Sequence, residues 1–117
     1  MSDVEEIFSY YRYETPYRST AYGGLDYYFA YCPKCVRFVK PRFELSKTGR
    51  HGKMIFIHSH ELKFIRLSRS NSGKREIWVD PEMPFRIRRF VITRWMDFEW
   101  SHSEIEKFLF EKWGVVE

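Results

Sequence analysis

The chain contains two cysteines, and they stand two residues apart in Cys32-Pro33-Lys34-Cys35. Thiolates at that spacing, across a tight turn, can both bind one soft cation, and an intracellular chain has little use for a lone structural disulfide. Two sulfurs are half of a tetrahedral site. With no other cysteine, the remaining ligands must come from His51, His58, His60, His102 or carboxylates. His58 and His60 are the best placed, because residues two apart on an extended strand point to the same face. That face also carries Met54, Phe56, Leu62 and Phe64, which would make a dry, firm wall. The expected centre is a structural zinc ion held by Cys32, Cys35, His58 and His60, with His51 or His102 as alternative ligands. Two unligated thiols beside two ordinary sheet histidines is the other reading of the same residues.

A stapling ion matters in a chain of this size. The 117 residues make one domain with a modest core, and zinc bound only by the folded state adds on the order of 10 kcal/mol in small zinc peptides. Aromatic residues make up 20% of the chain, which excludes a disordered polymer although 31% is charged. No apolar run approaches the roughly 18 to 20 residues of a membrane span, and the start, MSDVEEIF, is acidic where a secretory signal would be basic. A cytoplasmic protein is expected. There is no Gln and one Asn, Asn71, a balance that suggests a thermophilic source.

Residues 1–24 mix tyrosines with Pro16, Gly23 and Gly24 and read as a mobile or docked arm ahead of a single domain over 25–117. From Leu25 the pattern becomes short apolar runs between turn residues: LDYYFAY, VRFVKPRFEL, KMIFIHSHELKFIRL and REIWV. SKTGRHGK and SRSNSGK supply the hairpin turns of an antiparallel sheet of four or five strands. Asp80-Pro81 reads as a helix start, followed by Ile87, Phe90, Val91, Trp95 and Phe98 on one face, although a strand over 81–98 stays open. Ser101 and Glu104 form a capping box before Ile105, Phe108, Leu109 and Trp113, with Gly114 as the stop. The expected class is α+β: a small antiparallel sheet with a zinc knuckle and one or two C-terminal helices.

YCPKCVRFVKP resembles a zinc-ribbon knuckle, and the resemblance covers about a tenth of the chain. It departs at Val36, where that family usually has a glycine. Twenty-two residues separate Cys35 from His58, within the range over which two ribbon knuckles are joined by a hairpin. A thioredoxin-like CPxC would open a long helix, whereas here VRFVKP is β-branched and meets Pro41. His58-Ser59-His60, with Ser68 beyond, resembles the H-x-H…S segment of JAMM metallopeptidases, which implies a catalytic zinc. Asn71 stands where that family has its third ligand, an aspartate, and Glu61 stands where it usually has a proline.

Charge is unevenly spread. Residues 36–94 carry fifteen basic and five acidic side chains, whereas residues 95–117 carry two and six. Within the basic stretch Arg66, Arg69, Lys74, Arg75, Arg86, Arg88 and Arg89 are the candidate contacts to phosphates, whose neutralisation releases counterions and makes binding salt-dependent. Tyr27, Tyr28, Phe38 and Phe43 are candidate stacking surfaces or core residues. A helix-turn-helix over 81–113 would present a net acidic recognition helix to phosphates, which argues against it. The function expected is non-catalytic binding of DNA or RNA by an accessory or regulatory protein. The alternative is a protein-interaction module, an inhibitor or adaptor of a polymerase or defence complex. It would use the aromatic arm and the acidic C-terminal helix, through which the chain could also dimerise. An enzyme finds little support: there is no phosphate-cradling glycine loop and no Ser-His-Asp set that can be placed.

Overall fold

A computed structural model of the chain describes residues 10–18, 25–48 and 51–116. In order they form β1 (Tyr11–Arg18), β2 (Leu25–Cys32), β3 (Arg37–Val39), β4 (Arg42–Leu45), β5 (His51–His58), β6 (Lys63–Arg69) and β7 (Arg75–Val79). Helices α1 (Phe85–Met96) and α2 (His102–Trp113) follow, then a short strand β8 (Val115–Val116). The class is α+β, as expected, but the strands form two sheets rather than one. A small sheet has the order β1-β5-β4 and a central sheet the order β7-β6-β2-β3-β8, antiparallel throughout except where β8 runs parallel to β3.

The split arises inside two apolar runs that read as continuous. VRFVKPRFEL leaves the central sheet after Val39 and enters the small sheet at Arg42, across Pro41, which has no N–H to offer a ladder. KMIFIHSHELKFIRL returns by a bend over 59–62, ending β5 at His58 and starting β6 at Lys63. Within β4–β5, Gly52 faces Leu45 so closely that a Cβ would sit 2.0 Å from the Glu44 carbonyl oxygen, so no side chain fits there.

Strand alternation then sorts the core into two layers. Phe29 and Tyr31 of β2, with Ile65 and Leu67 of β6, face the helices and pack on Ile87, Val91, Trp95, Ile105 and Leu109. Their neighbours Ala30 and Cys32 face the small sheet and pack with Val39, Met54, Phe56 and Leu62. A central sheet buried on both faces explains why LDYYFAY is apolar at almost every position rather than at every second one.

β1 lies in the stretch read as an arm and pairs with β5 along its whole length. It is an edge strand, where Pro16 is tolerated. The rest of the arm, residues 1–9 and 19–24, lies outside the described residues.

The segment over 81–98 is helical, but later and shorter than its signals suggested. Asp80 caps a turn instead: its Oδ1 accepts from the Glu82 N–H at 2.8 Å, and its carbonyl accepts from Met83 at 3.0 Å. The helix begins at Phe85 after Pro84. Its buried face is Ile87, Val91 and Trp95, while Phe98 lies beyond the end, exposed and at φ 65°. α2 follows its capping box as read: Ser101 accepts from the Glu104 N–H, Glu104 accepts from the Ser101 N–H, and Gly114 ends it at φ 87°. Trp113, on the apolar face of this helix, is half-buried against Phe38, and Phe108 stacks on Phe90 at 4.2 Å. The aromatic face of α2 is therefore largely spent inside the fold.

Candidate metal centre

The four ligand candidates come from two places that the topology brings to one end of the sandwich. Cys32 ends β2 and Cys35 lies in the turn to β3, while His58 ends β5 and His60 sits in the bend that carries the chain back to the central sheet. The two histidines meet because of that bend, and not by standing on one uninterrupted strand. Their ligating atoms and the two sulfurs all lie within 4.8 Å of one another. Cys32 Sγ is 3.5 Å from His60 Nδ1, and Cys35 Sγ is 3.4 Å from His58 Nε2 and 3.6 Å from His60 Nδ1. Metal–sulfur and metal–nitrogen bonds of about 2.3 and 2.05 Å at a tetrahedral angle put sulfur and nitrogen about 3.6 Å apart. Three edges of the cluster match that figure.

The knuckle has its backbone bonds. The Cys35 N–H donates to Cys32 Sγ at 3.3 Å, and the Val36 N–H donates to the Cys32 carbonyl at 2.8 Å. Val36 occupies the left-handed region at φ 55° although it is β-branched, a conformation costing about 1–2 kcal/mol that glycine would avoid. The turn is thus imposed on a side chain that resists it.

The electrostatics suit a cation. Cys32 is fully buried and His58 is 8% exposed. Burial, then the neighbouring His60, holds His58 below the usual imidazole range, so its ring is neutral and offers a lone pair. The Cys32 sulfur, then burial, pushes the Cys35 thiol above its ordinary value. Cys35 lies in the turn between two antiparallel strands and not at the N-terminus of a helix, the setting that activates a redox cysteine. The hydrolytic resemblance also loses its geometry, since Asn71 lies in the β6–β7 turn, about 20 Å along β6 from the histidines. His102 is remote too, stacked on Tyr27 at 3.6 Å, and the His51 side chain lies outside what the structure describes.

The basic residues do not form one track. Arg66, Arg69 and Lys74 are exposed around the β6–β7 hairpin, where they line a depression of about 650 Å³ with Ser68, Ser70 and Ser72. Asp26 and Glu76 lie in the same wall, and Glu76 is 3.8 Å from Lys74. Arg86, Arg88 and Arg89 are exposed on α1, in the helical layer across the central sheet from Arg66. Arg75 turns inward. Its Nη1 donates to the carbonyls of Trp95 and Trp100 at 2.9 and 2.8 Å, and its guanidinium lies 4.1 Å over Trp95 and 4.8 Å over Phe98. It closes the C-terminal end of α1 and is not a surface contact. Of the proposed stacking residues, Phe38 is fully buried, whereas Tyr28 lines a second cleft with Tyr13, Thr15 and Trp78, three residues not singled out from sequence. Alternation in REIWV was the available signal, since it sets Trp78 opposite Ile77 and Val79.

The chain matches no known family, no curated protein and no solved structure. Among the described residues no helix is long and apolar enough to cross a membrane. What fold and site define is a two-sheet α+β protein with a Cys2His2 cluster able to hold a metal ion.

Proposed function

We propose that this chain is a non-catalytic module that binds DNA or RNA through its phosphates, with a structural zinc ion at Cys32, Cys35, His58 and His60. Two sulfurs and two imidazoles in tetrahedral array favour zinc among the common metals. Four protein ligands leave no position for water, so the ion braces the two sheets and does no hydrolysis.

The observation that carries the binding role is the hairpin depression. Arg66 and Arg69 make no ion pair among the described residues and share this wall with Lys74 and three serine hydroxyls. Unpaired guanidinium groups beside hydroxyls and turn amides are the donors that phosphates accept from. Arg86, Arg88 and Arg89 form a second strip, reached by a strand that passes over edge strand β7 onto α1.

Elemental analysis and salt-dependent binding test the two parts. One zinc per chain is expected, lost when Cys32 and Cys35 become serine. Affinity for a nonspecific oligonucleotide should fall by about tenfold or more between about 50 and 200 mM salt. Binding that ignores salt, or none at low salt, rejects the role. A protein-interaction module is the second reading. Phe85, Met96 and Phe98, exposed at the two ends of α1, favour it.

A further inference from the structure

The inter-sheet face of the central sheet changes character along its length. Reading away from the cysteines, β2 presents Cys32 at the candidate metal centre, Ala30 in the apolar cluster, Tyr28 in an open cleft and Asp26 at the hairpin depression. Beyond the apolar cluster the sheets no longer fill the space between them. They leave a cleft of about 580 Å³ lined by Tyr13 and Thr15 of β1 and by Tyr28, Phe64, Arg66 and Trp78 of the central sheet. That volume falls within the roughly 300–1,000 Å³ of small-ligand sites.

The groups in this cleft are unusual for solvent-facing surface. Register sets Tyr28 beside Arg66 and Arg66 beside Trp78, so the three side chains stand in a row on one face of the sheet, with neighbouring Cβ atoms about 5 Å apart. Trp78 is 46% exposed and makes no ring contact or hydrogen bond among the described residues. Arg66 is equally without a partner there, whereas Arg12 at the mouth is neutralised by Glu14 at 2.8 Å. Thr15 Oγ1 is buried in the cleft wall with no hydrogen-bond partner among the described residues. At the floor, Tyr13 meets Phe64 edge-on at 4.9 Å. A cation set between two aromatic side chains, Trp78 among them well exposed, is complementary to a flat, polar-edged ring that carries a phosphate.

We infer that this cleft is a stacking site for an unpaired nucleobase, and that the protein therefore prefers single-stranded nucleic acid. This rests on the phosphate-binding role proposed above and gives it a substrate class. Arg66 lines both the cleft and the hairpin depression, so a base held against Trp78 places its own phosphate toward Arg69, Lys74 and the serines. A duplex keeps its bases stacked on one another and offers the cleft nothing to hold. Stacking and backbone contacts of this kind are independent of base sequence.

The test uses the full metal-loaded chain with a thymine single strand of about twelve nucleotides, the matching duplex, and thymidine monophosphate. Anisotropy reports affinity, and tryptophan quenching in the wild type minus that in Trp78→Phe isolates the cleft. The expected result is a single strand that quenches Trp78 and loses about tenfold or more in affinity in Trp78→Ala, most of it recovered in Trp78→Phe. The duplex should change by less than about twofold in Trp78→Ala, because its phosphate contacts are untouched. Equal binding of strand and duplex, indifferent to Trp78→Ala and without quenching, overturns base stacking and leaves the phosphate role standing. Failure of both oligonucleotides to bind at low salt overturns both claims. A mononucleotide that binds as tightly as the strand overturns the polymer and makes the cleft a nucleotide pocket.

Discussion

Replacing Arg75 by alanine separates a structural arginine from a binding one. Two hydrogen bonds from a charged donor, to the carbonyls of Trp95 and Trp100, would be lost, at about 1.5–3 kcal/mol each. The guanidinium over Trp95 contributes about 1 kcal/mol more. Two offsets reduce the sum. The Trp95 carbonyl keeps the Phe98 N–H at 3.4 Å, and the buried Nε of Arg75, which has no partner among the described residues, disappears with the side chain at a gain of about 1 kcal/mol. The net expectation is a loss of about 3 kcal/mol. In urea, at fixed metal concentration, a slope of about 1.5 kcal/mol per molar turns that into a midpoint lower by about 2 M. Arg75→Lys should recover less than half, because one ammonium cannot reproduce the planar contact with Trp95 while bonding two carbonyls. Arg66→Ala should do the opposite, leaving the stability within about 0.5 kcal/mol of the wild type and weakening nucleic-acid binding. If Arg75→Ala left stability unchanged and weakened binding as Arg66→Ala does, the inward placement of Arg75 would be refuted.

Three further outcomes are expected. Stripping the metal with a chelator should lower the thermal midpoint by about 20 °C or more, and Cys35→Ser should match the stripped protein even with zinc added; equal midpoints with and without chelator would deny the centre its bracing role. Ser101→Ala removes the hydroxyl that accepts from Glu104 and should cost about 1 kcal/mol, read as a reduced denaturation midpoint. His102 is held below the ordinary imidazole range by burial and then by Arg69, so its neutral form stabilises the fold above the unfolded value of about 6.5, and that stability is lost as pH falls through it. Relative to His102→Phe, which retains the stack on Tyr27, the wild type should weaken as pH drops from about 7 to 5, and parallel pH profiles would contradict this.

The site was more legible in the sequence than the architecture around it. Metal-ligating side chains are rare and chemically specific, so Cys32, Cys35, His58 and His60 could be paired without knowing how the strands pair. The turn that brings Cys32 and Cys35 together forms without a glycine at position 36, because hydrogen bonds to Cys32 hold Cys35 and Val36 in place. Sheet membership was harder to see. Nothing in KMIFIHSHELKFIRL marks the bend at 59–62, since a strand that continues and a strand that changes layers bury the same residues. β1 did carry a signal, the alternation of Tyr11, Tyr13 and Thr15 with Arg12 and Glu14, but Pro16 and the neighbouring tyrosines obscured it. β8 is two residues long and has no pattern at all. Arg75 shows the limit of charge as a guide: sequence places it in a basic run, and only tertiary structure sets it under a helix terminus.

Because β2 is apolar on both sides, burial alone discriminates weakly between its native alignment on β6 and one displaced by a single residue. Such a slip would exchange Phe29 and Tyr31 with Ala30 and Cys32, turning the first sulfur toward the helices and away from both imidazoles. A cation that needs all four ligands rejects that misthreading outright. The ion would thus act as a proofreader of strand alignment during folding, and metal-starved chains should accumulate a compact, misregistered population that later addition of zinc rescues slowly.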